Sequence, residues 1–233
     1  MKKLAFLFVL VFSLVTNVNA YKIEKTNDVR TKVKVTLNEQ SYFYEIEDTS
    51  NIPTPFGAGL YTFEVYENIE GTKYKKVKTI KSQIKDDCFT TANYWVNYSE
   101  ELTTFTAALV QGNTTTEEKI NTIYNYIVNK YSYDFEKIHK LPNNYIPNPE
   151  AFLKEDSGIC SDMATLFAAM LRSQNIPTKV IVGYTSAATT YHAWNQVYIN
   201  GNWETFDITY DVQIPNQNMI KNSANYTDIR KIY

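Results

Sequence analysis

The sequence predicts an α+β protein, with a β-rich front part followed by helices and a final pair of strands. Three patterns carry that prediction. From Val29 to about Ile84 the residues alternate, or cluster as aromatic and β-branched runs, as strands do. After Ser99 apolar residues recur every three or four positions, the spacing of one helical face. Near the end, "YHAWNQVYINGNWETFDITYD" reads as two strands joined by Asn200-Gly201, a strong short hairpin signal. The boundary between the two parts is expected between Ile84 and Ser99.

The elements follow in order. "TKVKVTL" puts Val33, Val35 and Leu37 on one face and Lys32, Lys34 and Thr36 on the other. "SYFYEI" and "LYTFEVY" read as strands, with "NIPTPFGAG" between them as a loop because of its prolines and glycines. "ENIEGTKY" reads as a hairpin connection, and "KYKKVKTIKSQI" as a strand whose lysines form a solvated face or a protected edge. Ser99 can cap a helix carrying Leu102, Phe105 and Leu109. Thr114 with Glu117, or Thr115 with Glu118, can form a capping box for a helix carrying Ile120, Ile123, Tyr124 and Ile127. "KLPNNYIPNP" is a loop by composition, with a short helix expected around Ala151 to Lys154. After Asp211 the residues read as a polar, irregular tail.

The first twenty residues have the order of an export signal: Lys2 and Lys3, a nearly unbroken apolar run of twelve from Leu4 to Val15, then small residues at Val18 and Ala20. Twelve residues are too few to span a bilayer, which needs about 18. No cysteine follows to take a lipid. A secreted or cell-surface product from Tyr21 to Tyr233 is therefore expected, without a membrane anchor. Removing Lys2 and Lys3 from 23 basic residues leaves 21 against 25 acidic ones, so nothing favours a nucleic-acid partner. Two cysteines and two histidines lack the close spacing of a zinc site. No metal or cofactor is expected.

The stretch "SGICSDMATLF" places Cys160 at the head of a helix whose inward stripe is Met163, Leu166, Phe167, Met170 and Leu171. Gly158 tolerates the positive φ that a sharp turn into the helix can require. Ala164, Ala168 and Ala169 let another element approach closely. Asn175 can adopt a left-handed cap, and Pro177 stops the helix. "TKVIVGY" then reads as a strand. Unpaired N–H groups at a helix start favour negative charge, and the thiolate is the reactive form of cysteine. Those N–H groups also suit the oxyanion of a tetrahedral intermediate. The alternative is a small buried apolar residue.

The hairpin sharpens the choice. With a two-residue turn at Asn200-Gly201, paired residue numbers sum to 401. His192 then faces Thr209, and Trp194 faces Asp207. His192 and Asp207 become diagonal neighbours on one face, about 7–8 Å apart at the backbone. A carboxylate that orients an imidazole, which in turn activates a thiol, is the arrangement of nucleophilic catalysis. His139, in a polar stretch, is expected to be exposed.

"GICSDMATLFAAMLRSQNIPTKVIVGY", "HAWNQVYINGNW" and "FDITYD", in that order, resemble the transglutaminase-like superfamily, here as a bacterial-type secreted member. "TTEEKINTIYNYIVNKYSYD" is similar to the helix that precedes them in that family. The resemblance covers roughly Ser99 to Asp211. It implies a papain-like core in which the helix carrying the cysteine packs on an antiparallel sheet carrying His and Asp. It implies Cys160 as nucleophile, His192 as general base and acid, and Asp207 as the orienting carboxylate. Tyr145 is the candidate for an aromatic hydroxyl that assists the oxyanion. Asn175, Ile208 and Gln196 stand where glycine, proline and glutamate are common. No calcium-site signature of the animal enzymes is present.

The expected organisation is thus a signal over 1–20, a β-rich region over 21–98, a catalytic domain over 99–211 and a tail over 212–233. The expected function is acyl transfer from an amide of a protein or peptide, through a thioester, as a transglutaminase, deamidase or peptidase. The alternative is a non-catalytic extracellular binding module on the same fold. A pairing of Cys88 with Cys160 would mask the thiol. The front region is positioned to present substrate or to bind a surface.

Overall fold

The computed structural model describes residues 11–12, 20–25, 29–46, 50–84, 89–142, 144–186, 188–214 and 216–233. Most of the expected signal segment, and Cys88, lie outside these. The chain divides into two compact units, Met1–Asp87 and Cys88–Tyr233.

The first unit is built of strands. They are β1 (Val11–Phe12), β2 (Ala20–Ile23), β3 (Thr31–Leu37), β4 (Gln40–Ile46), β5 (Ser50–Pro53), β6 (Gly59–Glu70) and β7 (Lys73–Ile84). Five of them form a sheet in the order β1-β7-β6-β3-β4, antiparallel except where β1 meets β7. The alternation in β3 buries Thr31, Val33, Val35 and Leu37, as the pattern predicts. The lysines of β7 point mainly to solvent. Gly71, at φ 52°, turns the β6–β7 hairpin. The "NIPTPFGAG" stretch is only partly a loop. Residues 50–53 pair with β2 as a separate two-stranded sheet, and Pro53, lacking an N–H, ends the strand. Tyr21 stacks on Phe63 with ring centroids 4.7 Å apart, joining the small sheet to the large one.

The second unit contains α1 (Glu100–Leu109), α2 (Thr116–Lys130), β8 (Ser132–Tyr133), α3 (Pro149–Leu153), β9 (Ser157–Gly158), α4 (Cys160–Ser173), β10 (Thr178–Thr185), β11 (Ala188–Ile199), β12 (Asn202–Phe206), α5 (Ile208–Gln213), β13 (Ile220–Lys221) and β14 (Asp228–Ile232). Ser99 caps α1 through the N–H of Glu101. Thr115 and Glu118 form the capping box of α2, whose Ile120, Ile123, Tyr124 and Ile127 are buried. The sheet is antiparallel in the order β13-β12-β11-β10-β14. Asn200 and Gly201, at φ 50° and 90°, turn the β11–β12 hairpin, and Ile199 pairs with Asn202 as predicted.

Helix α4 is the centre of this unit. It is buried on every side, not only along the predicted stripe, because α1, α2, α3 and α5 pack round it while β10 and β11 cover the remaining face. Ala164 lets β11 close in, and Asn195 Nδ2 donates to the Ala164 carbonyl at 2.9 Å. Asn175, at φ 59°, ends the helix as a glycine would. Gly158 does not use a positive φ. Its missing side chain makes room for Phe152, since a Cβ there would lie 2.4 Å from Phe152 Cε2.

The residues after Asp211 are not irregular. They complete α5 and supply β13 and β14. Strand β14 lies along β10, where Tyr226, Ile229 and Ile232 cover Ile181 and Trp194. This close approach requires Gly183, because a Cβ there would lie 2.0 Å from the Asp228 carbonyl oxygen. Arg172, 1% exposed, ties the ends of the unit to its middle. It donates to the carbonyl oxygens of Thr178 (2.8 Å), Thr91 (2.9 Å) and Tyr233 (2.8 Å).

Three outcomes follow. Arg172→Leu removes the guanidinium donor from the Thr178 and Thr91 carbonyls at about 1–3 kcal/mol each, while the Tyr233 oxygen keeps the Val180 N–H, so urea unfolding of the variant should shift down by more than about 2 kcal/mol. Arg172→Lys should recover little, since an ammonium lacks the planar fork. Gly183→Ala should cost about 1–3 kcal/mol through overpacking, read as a fall of roughly 2–4 °C in Tm per kcal/mol.

Candidate functional site

Cys160 is the first residue of α4 and is 8% exposed, with a free thiol. The N–H groups of a helix's first turn, its own among them, have no intrahelical acceptor. Ile159 precedes it in extended conformation and has no side-chain acceptor for a cap. Asp162 compensates from inside the first turn, its Oδ2 accepting the Ile159 N–H at 3.0 Å. The Asp162 carboxylate is fully buried. It also takes an ion pair from Lys137 Nζ at 2.6 Å and the hydroxyl hydrogen bond of Tyr145.

His192 lies on β11, opposite Gly183 on β10. Its Nε2 is 2.9 Å from Asp207 Oδ2. The β11–β12 pairing follows the predicted register but runs only to Asn195 opposite Phe206. Asp207 is therefore not on the strand. It is the N-cap of α5, with Oδ1 accepting the Tyr210 N–H at 3.0 Å. The chain turns there because the carboxylate caps the helix, and the same turn aims Oδ2 at the imidazole. Ile208, where the family commonly has proline, opens the helix and is buried.

Asp207 is 1% exposed, and a second donor reaches it, the Tyr226 hydroxyl at 2.9 Å from Oδ2. Tyr226 also packs on Trp194, with ring centroids 5.5 Å apart. Burial, then the negative charge of Asp207, pushes the Tyr226 phenol up, so it stays protonated and donates. Trp194 in turn lies flat against His192, ring centroids 6.4 Å apart and 21° between planes.

The imidazole is 9% exposed. Burial alone would lower its pKa. Hydrogen bonds to Asp207 and to Cys160 outweigh burial, and the value rises from 6.5 to about 10. The structure thus joins His192 to Asp207 by a hydrogen bond, and Cys160 acts on the same imidazole. Tyr145 is brought to Asp162, not to that imidazole, and burial followed by that carboxylate holds its phenol in the protonated form. His139 is exposed, as expected.

Asp162, Lys137 and Tyr226 were not legible as site residues. An acid at the third helical position signals a capping box only after Ser or Thr, and here Ile159 stands there. Tyr226 lies 19 residues beyond Asp207 in a polar stretch without periodicity. Among the described residues no cluster of His, Cys, Asp and Glu is arranged to hold a metal. No helix among them is long and apolar enough to cross a membrane.

Residues 103–208 match the model of the Transglutaminase-like superfamily. That segment is similar to the transglutaminase-like superfamily. It contains Cys160, His192 and Asp207, while Tyr226 lies beyond it. Its α+β architecture, with a β-rich segment in front, is also that of a candidate cysteine protease from Cytophaga hutchinsonii. The two are 17% identical with a TM-score of 0.50, over 93% of this chain and 78% of the other. The periplasmic domain of TgpA from Pseudomonas aeruginosa is 12% identical with a TM-score of 0.42, over 84% of this chain and 89% of the other. LapG of Legionella pneumophila is 14% identical with a TM-score of 0.41, over 57% of this chain and 75% of the other. No curated protein matches the sequence. The transglutaminase-like family is generally one of cysteine-dependent enzymes.

The shift at His192 has a measurable consequence. The folded value lies above the unfolded 6.5. The bound proton therefore stabilises the fold fully below pH 6.5, and that contribution is lost as pH rises to about 10. In a His139→Gln background, the His192 ring signals in an NMR titration should keep their protonated shifts through neutral pH and move near pH 10. A midpoint below 7 would contradict the pairing.

Proposed function

We propose that the second unit is an exported, cysteine-dependent acyl-transfer enzyme acting on amide groups of proteins or peptides. The observation that carries this reading is the hydrogen bond from His192 to the buried Asp207, on an imidazole that also interacts with the buried Cys160 thiol at the head of α4. Each member has a distinct task. Cys160 Sγ attacks the amide carbonyl carbon. N–H groups of the first turn of α4 face the developing oxyanion. The His192 imidazolium gives its proton to the departing nitrogen as the carbon–nitrogen bond breaks, leaving a thioester on Cys160. Asp207 orients the ring and stabilises its charged form. The neutral imidazole then takes a proton from the incoming nucleophile, which cleaves the thioester. Water yields an acid, and an amine yields a new amide.

Tyr145 is proposed to act through Asp162. It holds the carboxylate that closes the start of α4, and so fixes the backbone on which the nucleophile sits. Export is proposed on the strength of the N-terminal sequence pattern.

The test is alkylation of the native protein by iodoacetamide, followed by mass spectrometry of the Cys160 peptide. Labelling below pH 7 should exceed that of the urea-denatured chain by at least about tenfold, and His192→Ala should abolish the excess. Labelling no faster than in the denatured chain counts for a non-catalytic module. Turnover of an amide, read by ammonia release, amine incorporation and peptide cleavage side by side, should fall as pH rises through about 10. Alkylation should persist there, because only amide turnover needs the ring proton.

A further inference from the structure

The strand paired with the residues just before Cys160 leads into Phe135, which at 66% has the greatest exposure among the large hydrophobic residues described. Strand β8 runs parallel to β9, with Tyr133 opposite Gly158. The Asp134 N–H donates to the Gly158 carbonyl at 2.9 Å, two residues ahead of the thiol. The Phe135 ring meets the half-buried Tyr133 edge-on, with centroids 4.8 Å apart and 67° between planes. Ile138, 38% exposed, extends the apolar surface.

This aromatic pair is fixed, not loose. Asp134 Oδ1 accepts the N–H groups of Glu136 (3.0 Å) and Lys137 (2.9 Å), which sets the turn that carries Phe135. The Lys137 ammonium then reaches Asp162, on the first turn of α4. The carboxylate that closes the start of the nucleophile's helix therefore also anchors the segment bearing the ring. Burial, followed by the charges of Cys160, Asp134 and Asp162, raises the pKa of the Tyr133 phenol, as expected of a ring beside the sulfur. An apolar ring held in water gains nothing for the fold. Held on a segment hydrogen-bonded to the residues just before the nucleophile, it offers pre-organised area to a substrate.

We propose that Tyr133 and Phe135 form a subsite for an apolar, preferably aromatic, side chain flanking the reacting amide of the substrate. The inference rests on the reading of Cys160 as the nucleophile. Burial of part of a phenyl group against the pair is worth roughly a tenfold preference.

The experiment compares two reagents on the native protein, iodoacetamide and N-benzyl iodoacetamide, by the second-order rate of labelling at Cys160. The benzyl reagent should react about tenfold faster relative to iodoacetamide than it does with the denatured chain. Phe135→Ala should remove that preference while leaving the iodoacetamide rate unchanged, and Phe135→Leu should retain part of it. Because Phe135 is exposed, its variants should melt with the parent. Fast labelling by both reagents, with the same ratio in parent and Phe135→Ala, overturns the subsite and leaves acyl transfer standing. Slow labelling by both overturns the subsite together with the reading beneath it.

Discussion

The second unit depends on one carboxylate taken out of water. An ionised group buried as deeply as Asp207 is costly unless its oxygens are hydrogen-bonded. Here a backbone N–H, a phenol and an imidazole share the two oxygens. The three donors come from α5, from the segment before β14 and from β11. The solvation requirement of a single side chain thereby joins elements that the backbone alone does not pair. Because the imidazole is one of the three donors, satisfying the carboxylate also leaves the ring charged and fixed in place.

A second buried carboxylate works in the same way at the other end of the site. Asp162 is held by an ammonium, a phenol and the N–H of the residue just before the nucleophile. Its charge is matched by Lys137, so it can cap the helix without leaving an uncompensated negative charge beside the thiol. Between Asp162 in its first turn and Arg172 in its last, the buried residues of α4 are apolar except for Thr165.

Much of this was legible in the residues. The Asn200-Gly201 turn sets a register, and that register alone brings His192 toward Asp207. The strand alternation of β3, the capping box at Thr115 and the cysteine at the head of α4 were equally direct, because each is a local signal with a fixed period or spacing. The unread parts depend on contacts between distant positions. Arg172 reads as a basic residue in the last turn of a helix, and nothing near it hints at carbonyl groups from residues 91, 178 and 233. Tyr226 lies in a stretch whose strand pairs at the edge of the sheet, where burial on one face is too short to print a period. The local turn composition of "NIPTPFGAG" outweighed the pairing of its first residues with β2.

The position of β14 has a bearing on how the chain acquires its chemistry. The ribosome delivers Cys160, His192 and Asp207 well before Tyr226 and the strand that lies over Trp194. Until those last residues dock, the carboxylate lacks its phenol and the ring lacks the tryptophan's full packing. A chain still emerging therefore carries its thiol, imidazole and carboxylate in an unassembled setting.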